Sequence, residues 1–429
     1  SIDAALGNYI TPIPTIDCTD LGSDGIVDGT IIVDKNGSCP IIQWAIDNAT
    51  AGDTIIVRDG VYVENIKINK SLTIRSENGS ANCIVQAANT NDHVFKVLAD
   101  FVNVSGFTVK NATGILRAGI YFNSDHGNIS DNRVSNNFYG IYLDTSNYSI
   151  IRNNIVCNNT GYGIYLLYSN SNTVSKNLAN SNNHGIYLQN SNNNTISNNI
   201  ANSNNCHGIY LSFSNNNTIS SNEVLNNNVG IVFNYPSNGN IVKDNNASDN
   251  DFGIFLDSSS NNIIANNIAN SNTWDGISLL NSSNNIIIKN NVALNNGSGI
   301  HISSSHNNRI YLNNFVNNAE NAYSYQSANI WNSTELIAYI YNGNRTNYLG
   351  NYWSDYAGLD TDRDGIGDSR YQIGSDYDYY PLMLPFEYYF SQDTKPPASI
   401  SNLHNTTYAP TYITWTWNNP SDVDFSHVI

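Results

Sequence analysis

The chain has 429 residues, of which 40% are hydrophobic and only 12% charged, with a formal net charge of -17. That balance argues against nucleic acid or anionic lipid as a partner, since both need a basic face, and the apolar content argues against a disordered polar tract. No apolar run reaches membrane-spanning length, and the opening at Ser1 reads as a processed, secreted form with an extracellular or cell-surface address.

Residues 1 to 52 read as an N-terminal segment and capping helix. The opening is irregular, with Pro12, Pro14 and an acidic turn from Asp20 to Asp28. Cys18 and Cys39 are a candidate disulfide, with Cys83 as the competing partner, whereas Cys157 and Cys206 read as separate thiols. Ile41, Trp44, Ala45 and Ala49 then recur at helical spacing, ending near Gly52. A short helix here is expected to lid the first coil of whatever follows, because the end of a stacked fold exposes apolar edge and unpaired strand groups.

Residues 53 to 345 are expected to form one solenoid. Short β-branched runs such as Thr54-Ile-Ile-Val57 and Ile66-Lys-Ile68 come first, and from about Ile115 a phrase built on Gly-Ile recurs at gaps of 21 to 23 residues: Gly119, Gly140, Gly163, Gly185, Gly208, Gly230, Gly253, Gly276 and Gly299. An aliphatic column (Ile129, Ile151, Val174, Ile196, Ile219, Val242, Ile264, Ile287, Ile310) keeps the same beat. So do two asparagine columns. The first is Asn132, Asn154, Asn177, Asn199, Asn222, Asn245, Asn267, Asn290 and Asn313; the second is Asn137, Asn159, Asn182, Asn204, Asn227, Asn250, Asn272, Asn295 and Asn318.

A period in the twenties marks a solenoid. Leucine-rich repeats need room for a helix or its equivalent, and each repeat here holds only short alternating runs such as Gly185-Ile-Tyr-Leu188. The predicted fold is therefore all-β: a right-handed parallel β-helix, its hand following from the rule for parallel crossovers. The asparagines are expected to serve twice, adopting the left-handed conformation of tight turns and stacking their amides into ladders from coil to coil.

The phrase Ile42-Gln-Trp-Ala-Ile-Asp-Asn-Ala-Thr-Ala-Gly-Asp-Thr-Ile-Ile-Val57, the Asn-Asn-Thr-Ile-Ser repeats, Asn351-Tyr-Trp-Ser-Asp-Tyr356 and Tyr380-Pro-Leu-Met383 resemble archaeal, methanogen-type surface proteins. Their coils are of the pectate-lyase-like and NosD-type β-helix class, and the likeness covers roughly residues 40 to 420. It implies the fold and a surface location. It does not specify function, because this fold carries lyases, hydrolases, binders and wall components. With one methionine in the chain, copper delivery is not carried over from the NosD-type resemblance.

Residues 346 to 392 read as an acidic, aromatic C-terminal cap. Asp360, Asp362, Asp364 and Asp368, with Gly365 at loop position 6, match the start of an EF-hand-like loop in which the Ile366 carbonyl would join; position 12 is Tyr371, so a complete EF-hand is excluded. Four carboxylates in nine residues repel unless a cation such as Ca2+ neutralises them; the alternative is a solvated acidic turn. Residues 393 to 429 read as a linker and a partial β-sandwich segment. Tyr412-Ile-Thr-Trp-Thr-Trp417 resembles the first part of a fibronectin type III domain, too short to close a sandwich alone, so strand exchange with another subunit is one expectation.

Walking the outward columns finds no carboxylate pair at catalytic spacing, so no catalytic residue is assigned. An outward aromatic column, Tyr121, Tyr142, Tyr165, Tyr187, Tyr210 and, after Val232, Phe255, reads as exposed; it would serve as a self-supporting ladder, a subunit interface or a platform for envelope polysaccharide. His184 and His207, beside Cys206, suggest a soft-metal site, but Tyr139, Tyr162 and Phe252 in the same column favour a plain stack of rings. Sequons at Asn36, Asn103, Asn216, Asn281, Asn332 and Asn405 are candidates for N-linked glycans. Together these features predict a secreted cell-surface structural protein that self-associates into a surface layer, sheath or filament, with a carbohydrate-binding or carbohydrate-cleaving protein as the alternative.

Overall fold

The computed structural model describes residues 29–37 and 39–390, together with the strands Ser401–Ala409 and Tyr412–Asn418. Three parallel sheets run the length of a solenoid. Sheet A has fourteen strands, from Thr30–Val33 to Ala328–Ile330, and sheet C has twelve, from Ile66–Ile68 to Glu320–Tyr325. Sheet B is pared down to single bridges through the middle of the stack, from Ile155↔Leu178 to Ile268↔Asn291.

Successive coils pair like with like. Thr173, Thr195 and Thr218 lie over one another, as do Val174, Ile196 and Ile219. Every member of the aliphatic column from Ile129 to Ile310 is buried. Each such side chain contributes roughly 1.5–3 kcal/mol by leaving water.

The asparagine columns are buried ladders with a direction. Asn199 donates its backbone N–H (2.9 Å) and its Nδ2 (3.0 Å) to Oδ1 of Asn222, which donates in the same way, at 2.9 and 2.9 Å, to Oδ1 of Asn245. The remaining Nδ2 hydrogen of Asn222 goes to the Ile196 carbonyl. The second column repeats the pattern, for example Asn204 to Asn227 to Asn250.

One expectation fails here. The ladder asparagines do not themselves take the left-handed conformation; the residue before each one does. Lys176 (φ 56°), Asn198 (55°) and Ser221 (55°) precede the first ladder, and Ser181, Ser203 and Asn226 the second. The corner is imposed by the amide that follows it, so even lysine or leucine, as at Leu294 and Leu312, is held there.

A one-way ladder must end on an acceptor that has nothing to donate. The first ladder passes from Asn313 to Asn351 and stops on Asp378, which takes the Asn351 N–H at 2.8 Å, the Trp353 indole at 3.0 Å and the Tyr380 N–H at 3.0 Å. The second passes from Asn318 to Asn321 and stops on Asp355. A third ladder, not read from the sequence, runs Asn172, Asn194, Asn217, Asn240, Asn262, Asn285, Asn308, Asn329 and stops on Asp376.

The solenoid boundaries differ from those expected. Its first strand is Thr30–Val33, paired with Thr54–Val57, so the coils begin before residue 53. They end at Ile330, short of 345, because Ile337–Ile340 and Asn344–Asn347 fold back as an antiparallel hairpin; Tyr352–Trp353 then returns to complete sheet B.

The helix Ile42–Asn48 buries Ile42, Ala45 and Ile46, leaving Ile41 and Trp44 exposed, one position off the predicted face. Both its ends are satisfied by the next coil. Glu64 accepts the N–H groups of Ile42 and Gln43, and Lys70 donates to the carbonyls of Ile46, Asp47 and Ala49. Gln43 meanwhile supplies both partners that Lys67, on the edge strand of sheet C, would otherwise lack.

At the other end Trp331 and Trp353 are buried, and Trp353 lies between Phe315 and Tyr371 at ring distances of 4.7 and 4.4 Å. Of the aromatic run expected to cap the last coil, Phe386 and Tyr389 are buried, whereas Tyr379 and Tyr388 are exposed. The strands Ser401–Ala409 and Tyr412–Asn418 pair as an antiparallel hairpin.

Replacing Asn222 by alanine orphans two buried donors on Asn199, each costing about 1–3 kcal/mol. The expected loss is about 3 kcal/mol in urea unfolding, against less than about 0.5 kcal/mol for exposed Asn205→Ala; equal effects would show that the ladder carries no special weight. Asp378→Ala leaves several donors buried and unpaired and should cost about 3 kcal/mol or more.

Candidate functional site

The outer face of sheet C carries most of the candidate chemistry, and the Gly-Ile phrase shapes it. At each Gly the chain turns a corner, so that Gly and the following Ile both face inward and the ring before Gly faces out. A Cβ on Gly163 would lie 2.6 Å from the Gly185 carbonyl oxygen and 2.7 Å from Nδ2 of Asn182, which is why only glycine fits. Two ring columns therefore stand side by side: Tyr139, Tyr162, His184 and His207 before Gly, and Tyr121, Tyr142, Tyr165, Tyr187 and Tyr210 after it.

The second column is not exposed as expected. Tyr165 and Tyr187 are buried, and Tyr121, Tyr142, Tyr210 and Phe255 are half-buried, because rings of the neighbouring column interlock with them. Tyr142, Tyr165, Tyr187 and Tyr210 stack at 4.8, 5.2 and 4.6 Å with interplanar angles of 15°, 10° and 8°. Their hydroxyls are partly committed as well, Tyr121 to Asp144 and Tyr165 to Gln189. Burial raises these phenols' pKa values, Tyr139 to about 12.

His184 and His207 belong to this stack. Their rings lie 4.9 Å apart, their Nδ1 atoms are buried with no hydrogen-bond partner, and burial lowers both imidazoles to about 4, so they are neutral rings. Cys206 donates to Asn183 Oδ1 at 3.1 Å. Among the described residues, these three do not gather into a three-ligand group.

The ring column is interrupted at Val232, a buried aliphatic, and again between Phe255 and His301. The coil between them presents Ser278 in register with both, and the column before Gly changes there from Phe252 to Asp275. A recess of about 350 Å³ opens at this point, lined by Phe252, Phe255, Trp274, Asp275, Leu280 and His301 among others. Asp275 is 7% exposed; its Oδ1 accepts the Ser298 N–H at 2.8 Å, and its Oδ2 lies 3.1 Å from His301 Nδ1. The hydrogen bond to Asp275 raises the His301 pKa. Reading the columns for carboxylates alone misses this pair; the signal is the loss of a ring at Ser278.

The acidic loop converges only in part. Oxygens of Asp360, Asp362 and Asp364 lie within 4.8 Å of one another. Asp368 is not part of that group; it is fully exposed and accepts the Thr361 N–H at 2.9 Å. The Ile366 N–H donates to Asp364 at 2.8 Å, and Tyr389 donates its hydroxyl to the Gly365 carbonyl, which pins the loop to the cap.

Of the sequons, Asn36, Asn216 and Asn281 are exposed, Asn103 donates its amide to Thr73 and Asn332 to the Ser333 carbonyl, and the side chain of Asn405 lies outside the described residues. Cys39 is disulfide-bonded while Cys83, Cys157 and Cys206 are free; Cys18 lies outside the described residues. No helix among the described residues is long and apolar enough to cross a membrane.

Residues 93–247 match a family described as right handed beta helix region, and residues 200–358 match one described as periplasmic copper-binding protein (NosD). The fold is a right-handed parallel β-helix. A stretch covering 29% of this chain is 34% identical to a cell surface glycoprotein of Methanothermus fervidus and covers 26% of it, so the chain spans about a quarter of the curated relative it matches. Among solved structures, the A-module of a mannuronan C-5 epimerase from Azotobacter vinelandii superposes with a TM-score of 0.54 at 15% identity, over 67% of this chain and 94% of that one. The Dettilon tailspike protein gives 0.55 at 17%, over 65% and 64%. At such identities these likenesses show the fold alone.

The Asp275–His301 pair gives a signed pH dependence. Because folding raises the His301 pKa above its ordinary 6.5, the pairing stabilises fully below that pH and is lost as pH rises through the folded value. The unfolding midpoint should therefore fall more for the wild type than for His301→Gln between about pH 6 and pH 8.5. Parallel curves in scanning calorimetry would show that the pair is not formed in solution.

Proposed function

We propose that this chain is the rigid β-helical part of a secreted cell-surface structural protein that self-assembles into a surface layer, sheath or filament. The observation that carries this reading is the investment of three repeated asparagine columns in buried ladders along the solenoid axis. Fourteen strands at about 4.8 Å make a rod some 60 Å long, cross-linked along its axis. The similarity to a cell surface glycoprotein supports the surface location, and the exposed Asn36, Asn216 and Asn281 are open to N-linked glycans. Calcium bound by Asp360, Asp362 and Asp364 would neutralise the acidic loop and stiffen the cap. The C-terminal hairpin offers strands for exchange with another subunit.

Negative-stain microscopy of the purified protein should show ordered polymers, and calcium should raise its unfolding midpoint. Asp362→Asn should remove the calcium shift with little change in calcium-free stability. Dispersed monomers in both conditions would overturn the assembly, and release of reducing ends or unsaturated products from envelope polysaccharide would overturn a purely structural role.

A second reading, carbohydrate binding on sheet C, is favoured by the recess at Ser278, where an apolar wall meets a buried carboxylate.

A further inference from the structure

The ring column on sheet C sets flat rings one strand spacing apart and lacks a ring at two levels: at Val232 a buried aliphatic side chain fills the level, and at Ser278 no side chain does. Phe255 and His301 sit two coils apart, about 9.6 Å, with Ser278 between them in strict register. Removing one ring from a stack of this spacing leaves a slot about one ring thick. Trp274, 57% exposed, stands at its side, and the Asp275 carboxylate and the His301 imidazole reach it from the adjoining column and coil.

From this geometry we infer that the slot at Ser278 binds a single neutral hexopyranose unit, its C–H face against Phe255 and Trp274 and its hydroxyl edge toward Asp275 and His301. The inference rests on the carbohydrate-binding reading above and names its site and sugar class. An apolar ring would fill the slot but make no use of the polar edge, where Asp275, already holding Ser298 and His301, keeps lone pairs free to accept further; a pyranose presents both an apolar face and hydroxyls. An acidic sugar is disfavoured. No Lys or Arg lines the recess, His301 is already engaged by Asp275, and Glu320 lies close enough to act electrostatically on His301.

Calorimetric titration of the full chain with neutral gluco- and manno-trisaccharides, alongside an oligomannuronate, tests this. At least one neutral sugar should bind at millimolar concentration or tighter and shift tryptophan fluorescence, with the acidic sugar at least about tenfold weaker. Ser278→Tyr restores the missing ring and should abolish binding without lowering the unfolding midpoint; if that variant misfolds, Trp274→Ala and His301→Gln should each weaken binding about tenfold or more. Absence of binding by every neutral sugar, preference for the acidic one, or undiminished binding in the variants would each overturn the inference.

The same chemistry is available from an envelope polysaccharide or from a glycan on a second copy. Retention on an insoluble neutral glucan assigns the first source, and Ser278-dependent association of glycosylated but not deglycosylated chains assigns the second. Polymer formation in micrographs is read independently, so failure of either reading leaves the other standing.

Discussion

One-way hydrogen bonding along the solenoid axis is the constraint on which the rest of the structure depends. A side-chain amide that donates to the coil ahead and accepts from the coil behind is satisfied only while the column continues. Where it stops, the last donor faces the interior unpaired, and an unpaired buried donor is among the costlier defects a fold can carry. Three ladders of this sense reach the C-terminal end, and each meets a carboxylate, Asp378, Asp355 or Asp376, which accepts and cannot donate. An outer column runs the opposite way, from Asn192 to Asn170 to Asn147, and at the N-terminal side passes through Asp125 to end on Asp100. The same rule thus holds for both directions. Aligned amide dipoles place positive charge at the donating end, which a carboxylate also neutralises.

The ladders also explain the cap. Trp331 and Trp353 plug the last coil and donate their indole hydrogens to Asp376 and Asp378, the groups that close the third and first ladders. Core, polar ladder and aromatic plug therefore end at one place. At the N-terminal end Glu64, Lys70 and Gln43 do the equivalent work for a short helix and a strand edge.

Repetition makes the fold legible in the sequence: a constant period, columns of aliphatics and two columns of asparagine carry most of it. The third ladder was equally visible, two residues before each aliphatic, but it opens on Ser149 and so does not read as an unbroken asparagine column. The terminating aspartates lie beyond the regular spacing, 38 residues separating Asn313 from Asn351 and 27 separating Asn351 from Asp378, so no periodic search reaches them. The burial of Tyr165 and Tyr187 was hidden for another reason: strict alternation would have sent the ring before Gly into the core, and the corner at Gly turns it outward against its neighbours.

In a chain this repetitive, chemistry shows itself as a departure from the repeat. Exchanging Tyr162 for His184 and His207 puts a ring where a ring was, and the stack absorbs it: the imidazoles are half-buried, neutral and packed against neighbouring rings, with their Nδ1 atoms unsatisfied. Exchanging Phe252 for Asp275 and a ring for Ser278 does the opposite, because a charge replaces an apolar face and a void replaces a side chain. A carboxylate buried beside aromatic walls is unfavourable unless it is hydrogen-bonded, and Asp275 is held by Ser298 and His301 in that position. Stability alone would have kept the column closed at this level, as it is closed by rings at Tyr165, Tyr187 and Tyr210 and by a buried aliphatic at Val232.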